Sequence, residues 1–169
     1  MTGFAAGLFA PAASAHSLYG QWIAYRRKHL LIGCHRKDPA TFALAQKLVA
    51  HINHALPAAK ARPARAPHPE RLASLIGTDQ MEIAVLSVDE ANQMSLGEGR
   101  FRPYGKLPLT RLGEFGPHVL VAHADFPEHH GRMLAAALAD IEQSNGKVSA
   151  NLDWHAGVLS WRDNQSNRK

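Results

Sequence analysis

The residues best equipped for chemistry crowd into one run, Cys34-His35-Arg36-Lys37-Asp38, with Thr41 just beyond. A thiol, an imidazole, two fixed cations and a carboxylate stand side by side. Cys34 as a nucleophile needs a base within hydrogen-bond reach. His35 is adjacent, but neighbours on a strand project to opposite faces. No GxSxG and no Ser/His/Asp set accompanies the cysteine, so the chain reads as a binding protein and not as an enzyme. Binding suits the run better. Arg36, the Thr41 hydroxyl and the backbone N–H groups opening a following helix form a cradle for a small anion. Neither GxGxxG nor GxxxxGK[ST] occurs here, which argues against a nucleotide phosphate. Two further polar turns, at His68 and at Ser87-Val88-Asp89, belong at the same sheet edge if the strands run parallel. The candidate ligand-binding residues are therefore Cys34, His35, Arg36, Asp38, Thr41, His68, Ser87 and Asp89.

Eleven histidines in 169 residues raise metal chemistry as the other class. His51 and His54 are three apart and His129 and His130 adjacent, yet neither HExxH nor CxxC is present. No cofactor is expected from these. The N-terminal region is different: Phe4 to Pro11 is a short apolar segment, and Ala13-Ser14-Ala15 has the form of an export cleavage site. Cleavage after Ala15 would expose His16 with a free amine and an imidazole on one residue. With a second histidine this pair chelates copper, so a periplasmic copper- or metal-binding protein using His16 is the alternative reading.

The elements that must position the turn follow from pattern. Leu30-Leu31-Ile32 is an apolar run of the kind buried in a parallel sheet. Asp38 is placed as an N-cap and Pro39 at the first helical position. Phe42, Ala45, Leu48, Val49, Ile52 and Leu56 then recur on one helical face until Pro57. A weaker strand over 58–66 carries Pro63, which assigns it to an edge. Pro67-His68-Pro69 opens a second helix ending near Gly77. MEIAVL (81–86) is a strand, and 89–94 a short helix. The stretch 97–116, with five glycines and two prolines, reads as a loop-rich connection. A strand at 118–124, a helix at 128–143, and Trp154 and Trp161 as docking anchors complete the order. The expected fold is a single three-layer α/β domain with a mostly parallel sheet flanked by helices. It spans 29–161, after a signal-peptide remnant (1–15) and an aromatic, basic connector (16–28), and before a disordered tail (162–169).

Composition bounds the rest. Hydrophobic residues make up 46% and charged residues 20%, as in a folded domain, and the formal charge is +5, which favours acidic partners or small anions. Basic residues are scattered without a nucleic-acid-binding motif, so no nucleic acid is expected. No apolar run approaches the roughly 20 residues of a membrane span. A single cysteine excludes an intramolecular disulfide.

Three stretches carry a family resemblance: LASLIGTDQMEIAVLSVDEA (72–91), HVLVAHADFPEH (118–129) and LDWHAGVLSW (152–161), together with the strand–turn–helix at Thr41-Phe42. In them the chain resembles the type II periplasmic solute-binding fold, particularly the TAXI-type receptors of TRAP transporters. The resemblance implies an exported, periplasmic transport receptor or accessory component. It would bind a small anionic or carboxylate-bearing solute and meet a membrane permease or a periplasmic protein partner. It extends to one lobe only, because the chain passes from Asp89-Glu90 to His118 through the glycine-rich connection, leaving half of a clamshell site. The turn also departs from the glycine- and serine-rich composition usual there, with Arg36 and Lys37 in its place.

Overall fold

The computed structural model describes residues 28–141 and 150–167. The expected signal remnant, His16 and the connector up to Arg27 lie outside the described residues, whereas the helix placed over 128–143 ends at Ala137, with Leu138 at its C-cap and 138–141 in turn and bend. The chain folds as β1 (Leu31–His35), α1 (Pro39–Ala55), β2 (Arg62–Ala66), α2 (Pro69–Gly77), β3 (Ile83–Ser87) and α3 (Val88–Leu96). Then come β4 (Leu109–Phe115), β5 (His118–His123), α4 (Glu128–Ala137) and α5 (Ala156–Ser166), with short 3-10 turns at Pro57–Ala59 and Gly99–Tyr104.

One five-stranded sheet, in the order β2-β1-β3-β5-β4, carries the whole domain. Its β1–β2 and β1–β3 pairings are parallel, whereas β3–β5 and β4–β5 are antiparallel. The sheet is therefore mixed and not mostly parallel. The correction comes from the stretch read as loop. β4 pairs with β5 across the two-residue turn Gly116-Pro117, with Phe115 opposite His118. Gly116 takes φ 63°, the positive value this kind of hairpin turn needs at its first central residue. A register shift between Arg111 and Gly113 puts both Leu112 and Gly113 inside. That bulge breaks the alternation by which a strand is recognised.

Two apolar layers sandwich the sheet. On one face α1 lays Ala45, Leu48 and Ile52 against Ile32, Cys34, Val85 and Leu120; α4 and α5 add Leu134 and Val158, and Leu138 follows at the C-cap of α4. On the other, Leu72, Ala73 and Ile76 of α2 and Ala91 and Met94 of α3 cover Ala84, Leu86, Val119 and Val121, with Phe101 fully buried among them. Alternation along β1 divides it between the layers: Ile32 and Cys34 face α1, while Gly33 lies so close to Met81 and Leu72 that a Cβ there would overlap them. Trp154 and Trp161 pack on the first layer as anchors. The Arg111 and Arg162 guanidiniums stand 4.4 and 3.8 Å from the Trp154 ring. The tail placed at 162–169 is helical as far as Ser166, because α5 continues through it. Among the described residues no helix is long and apolar enough to cross a membrane.

Candidate functional site

Strands β1, β2 and β3 end at one edge, and β5 begins there, with His118 opposite Ser87. The order 2-1-3 means that the chain leaves β1 toward one side and returns to the other. This topological switch point lies at the carboxyl ends of β1 and β3, where ligands bind in open α/β sheets. Three helices start at this edge, each capped by its own residues. Asp38 caps α1, taking the Ala40 N–H at 2.9 Å, with Pro39 behind it. His68 caps α2, its Nδ1 accepting from the Arg71 N–H at 3.3 Å. Ser87 caps α3 in a reciprocal box with Glu90.

Glu90 is where these parts join. Its Oε2 accepts from the Ser87 N–H at 3.2 Å and from His35 Nε2 at 3.1 Å. On the other oxygen, the half-exposed Arg100 guanidinium stands 3.8 Å away and reaches Glu70 at 4.0 Å. His68 Nδ1 lies 3.0 Å from Glu70, so that one nitrogen either accepts from Arg71 or donates to the carboxylate. Burial alone would raise the Glu90 carboxyl; the His35 hydrogen bond and charge, with the Ser87 backbone and hydroxyl, overcome it and hold Glu90 below its usual range. His35 itself is 1% exposed, and its Nδ1 has no hydrogen-bond partner among the described residues. A second pair stands alongside: His118 Nε2 donates to Asp38 Oδ2 at 2.8 Å, tying the cap of α1 to the start of β5. Burial pushes Asp38 up, but the hydrogen bonds from His118 and Ala40 outweigh it and lower the carboxyl.

The expected residues are thus distributed unequally. His35, Asp38, Thr41, Ser87 and His68 gather at this edge, and the backbone N–H of Arg36 extends the ladder to the Ala66 carbonyl at 3.0 Å while its side chain is exposed. Asp89 is exposed one position from the cluster, accepting from Gln93 at 2.8 Å. Cys34 departs from the expectation: it is fully buried against α1, 3.6 Å from the Ala64 carbonyl. Burial, opposed by the Arg65 charge, pushes its thiol up to about 11. Its side chain belongs to the core because strand alternation turns it away from His35. Thr41 is likewise withdrawn. Its hydroxyl accepts from the His35 N–H at 3.3 Å and donates to the Asp38 carbonyl at 2.7 Å, with the His35 carbonyl at 3.2 Å. The turn's own groups therefore use the Thr41 hydroxyl and the Ala40 N–H, and of the expected donors the exposed Arg36 side chain is left.

Glu90, Arg100, Glu70 and His118 were not among the expected residues. Ser87-x-x-Glu90 is a capping-box spacing that points to Glu90; the others arrive from distant parts of the chain. No group of three or more His, Cys, Asp or Glu suited to a metal ion occurs among the described residues. Neither the models of known protein families nor the curated proteins contain a match to this chain.

Proposed function

We propose that the protein is a binding module for a small anionic, carboxylate-bearing solute, taken at the sheet edge beyond the ends of β1 and β3. The observation that carries this reading is the switch point itself: it brings the His35–Glu90 pair, Arg100 and three helix N-termini to one edge. Cys34 and Thr41 are spent on the fold, so the donors offered to a ligand are the side chains of Arg100 and Arg36. Arg100 is held by two carboxylates at long range, and an incoming carboxylate competes for it with Glu70 and Glu90. One such edge encloses a ligand on one side only, so affinity on the order of a millimolar is expected. Receptor or accessory duty for a periplasmic permease is the role that the resemblance in 72–91, 118–129 and 152–161 suggests.

Calorimetric titration with mono- and dicarboxylates, with phosphate as a comparison, tests the reading. Saturable carboxylate binding that Arg100→Ala weakens at least tenfold supports it. No saturable binding of any carboxylate, or binding indifferent to both Arg100→Ala and Arg36→Ala, overturns it.

A further inference from the structure

Between Leu30 and His68 the sequence carries six fixed cations, Arg36, Lys37, Lys47, Lys60, Arg62 and Arg65, against a single carboxylate, Asp38. From Pro69 on, the described residues reverse the balance, with seven Lys and Arg against twelve Asp and Glu. The six cations are scattered in sequence, but the fold gathers them on one flank. β2 is a margin strand of the sheet, and α1 runs beside it. Asn53 ties one end of α1 to the Ala61 backbone at 2.7 and 3.0 Å, and near the other end the Phe42 ring lies 4.3 Å from the Arg65 guanidinium. Lys60, Arg62 and Arg65 run along β2 and its approach, Lys47 stands on α1, and Arg36 and Lys37 form the turn beside Ala66. All six are exposed, and none has an ion-pair partner among the described residues; Asp38 is taken by His118. Arg100 and Arg111, by contrast, are matched by carboxylates.

We propose that this flank adsorbs the protein onto an anionic lipid surface, by charge and without insertion. A face of unpaired cations, backed by an acidic remainder, orients the molecule against a plane of negative charge. Between the cations α1 exposes small side chains, Ala40, Ala43 and Ala50, which let the face lie close to a plane. The exposed large apolar side chains, Leu96, Tyr104, Met133 and Leu159, all lie on other elements. The flank therefore has neither a wedge for the lipid interior nor an anchor of the kind that dominates a protein–protein interface. Phe42, the one Phe, Tyr or Trp in 30–68, packs on the first apolar layer beneath Arg65 and gives a nucleic-acid base no platform to stack on. Each Lys or Arg brought to an anionic surface strengthens adsorption roughly fivefold, and salt screens the effect.

Co-sedimentation of the full chain with phosphatidylcholine vesicles containing about a third phosphatidylglycerol, against pure phosphatidylcholine, tests this. Partition should favour the anionic vesicles at least tenfold at low ionic strength and collapse in about 0.5 M NaCl. Lys47→Gln, Lys60→Asn and Arg62→Gln together should cost at least tenfold. Asparagine suits position 60 because Lys60 has φ 45°. The control Arg102→Gln, Lys106→Gln and Arg132→Gln removes the same charge from exposed sites on other elements and should cost less than about threefold. No preference for anionic vesicles, or equal losses in the two triple variants, overturns the proposal. So does flank-dependent binding of a single-stranded oligonucleotide with none to vesicles, which gives the face to nucleic acid. Lysine acetylation of the unmodified chain is the second measurement. Vesicles should protect Lys47 and Lys60 several-fold more than Lys106, and equal protection overturns the proposal too.

Discussion

Oε2 of Glu90 accepts two hydrogen bonds at once, so the state of that carboxylate governs both the cap of α3 and the placement of His35. Its folded value lies below the usual 4.5, so the folded protein binds fewer protons there than the unfolded chain. The resulting stability is fully present above about pH 4.5 and is lost as pH falls through the lower folded value. In urea titrations Glu90→Gln should cost about 1–3 kcal/mol near neutrality. The gap to the unmodified protein should narrow steadily below that pH, and a gap that stays constant would refute the assignment. Cys34 makes a simpler prediction: with its thiol at about 11 and no exposure, maleimide labelling should require unfolding and track denaturant. These residues were unequally legible. Asp38 and Pro39 announce a helix start by type alone. His35 and Cys34 are told apart only once alternation assigns them to faces. Arg100 and His118 have no local signal, because tertiary contacts across 10 to 80 positions bring them to Glu90 and Asp38.

Helices α4 and α5 owe their crossing to two glycines. A Cβ on Gly157 would overlap the Glu128 carbonyl oxygen and the Arg132 nitrogen, and one on Gly131 would overlap the His155 ring. That ring is fixed in turn, with Nε2 donating to the Phe126 carbonyl at 2.9 Å and Nδ1 accepting from the Gly157 N–H at 3.1 Å. Gly157→Ala should lower stability by about 1–3 kcal/mol through forced separation of the helices, read as a fall in the denaturation midpoint. No change would show that the pair tolerates a wider crossing. α1, α2 and β3 were legible because their apolar positions repeat at helical spacing or as an unbroken β-rich run. β4 was hidden by its bulge and by glycines, which favour loops locally and are overruled by pairing with β5. α5 was hidden for the opposite reason: beyond Trp161 it continues through polar residues, exposed from Asp163 on, that show no apolar repeat.

For the molecule as a whole, both layers share the same five strands, so neither can open without stripping the sheet that supports the other. Unfolding should follow one transition. Tryptophan emission, which includes Trp154 and Trp161 on one layer, and far-ultraviolet dichroism, which reports helices on both, should give the same midpoint. Separate midpoints would mean that the layers are independent units. The parallel half of this architecture was legible from the alternation of strand and helix up to β3. Direction beyond β3 was not, because β4, whose hairpin with β5 reverses the chain, lies in the stretch read as loop.

The strand order also leaves two sheet margins where another chain could lie down, and the protein blocks them by different means. Along β2, Arg62 and Ala66 point their backbone groups toward β1, bonding Leu30 and Arg36, so alternation turns those of Pro63 and Arg65 outward. The outer margin thus meets a newcomer with a missing donor and a positive charge. Along β4, residues 153–155 already bond Arg111 from both sides, at 2.9 and 3.0 Å, and occupy part of the margin. Pro63→Val should restore the missing donor without touching either core. Concentrated solutions of that variant should then form fibrils or larger species in light scattering while the parent chain remains dispersed.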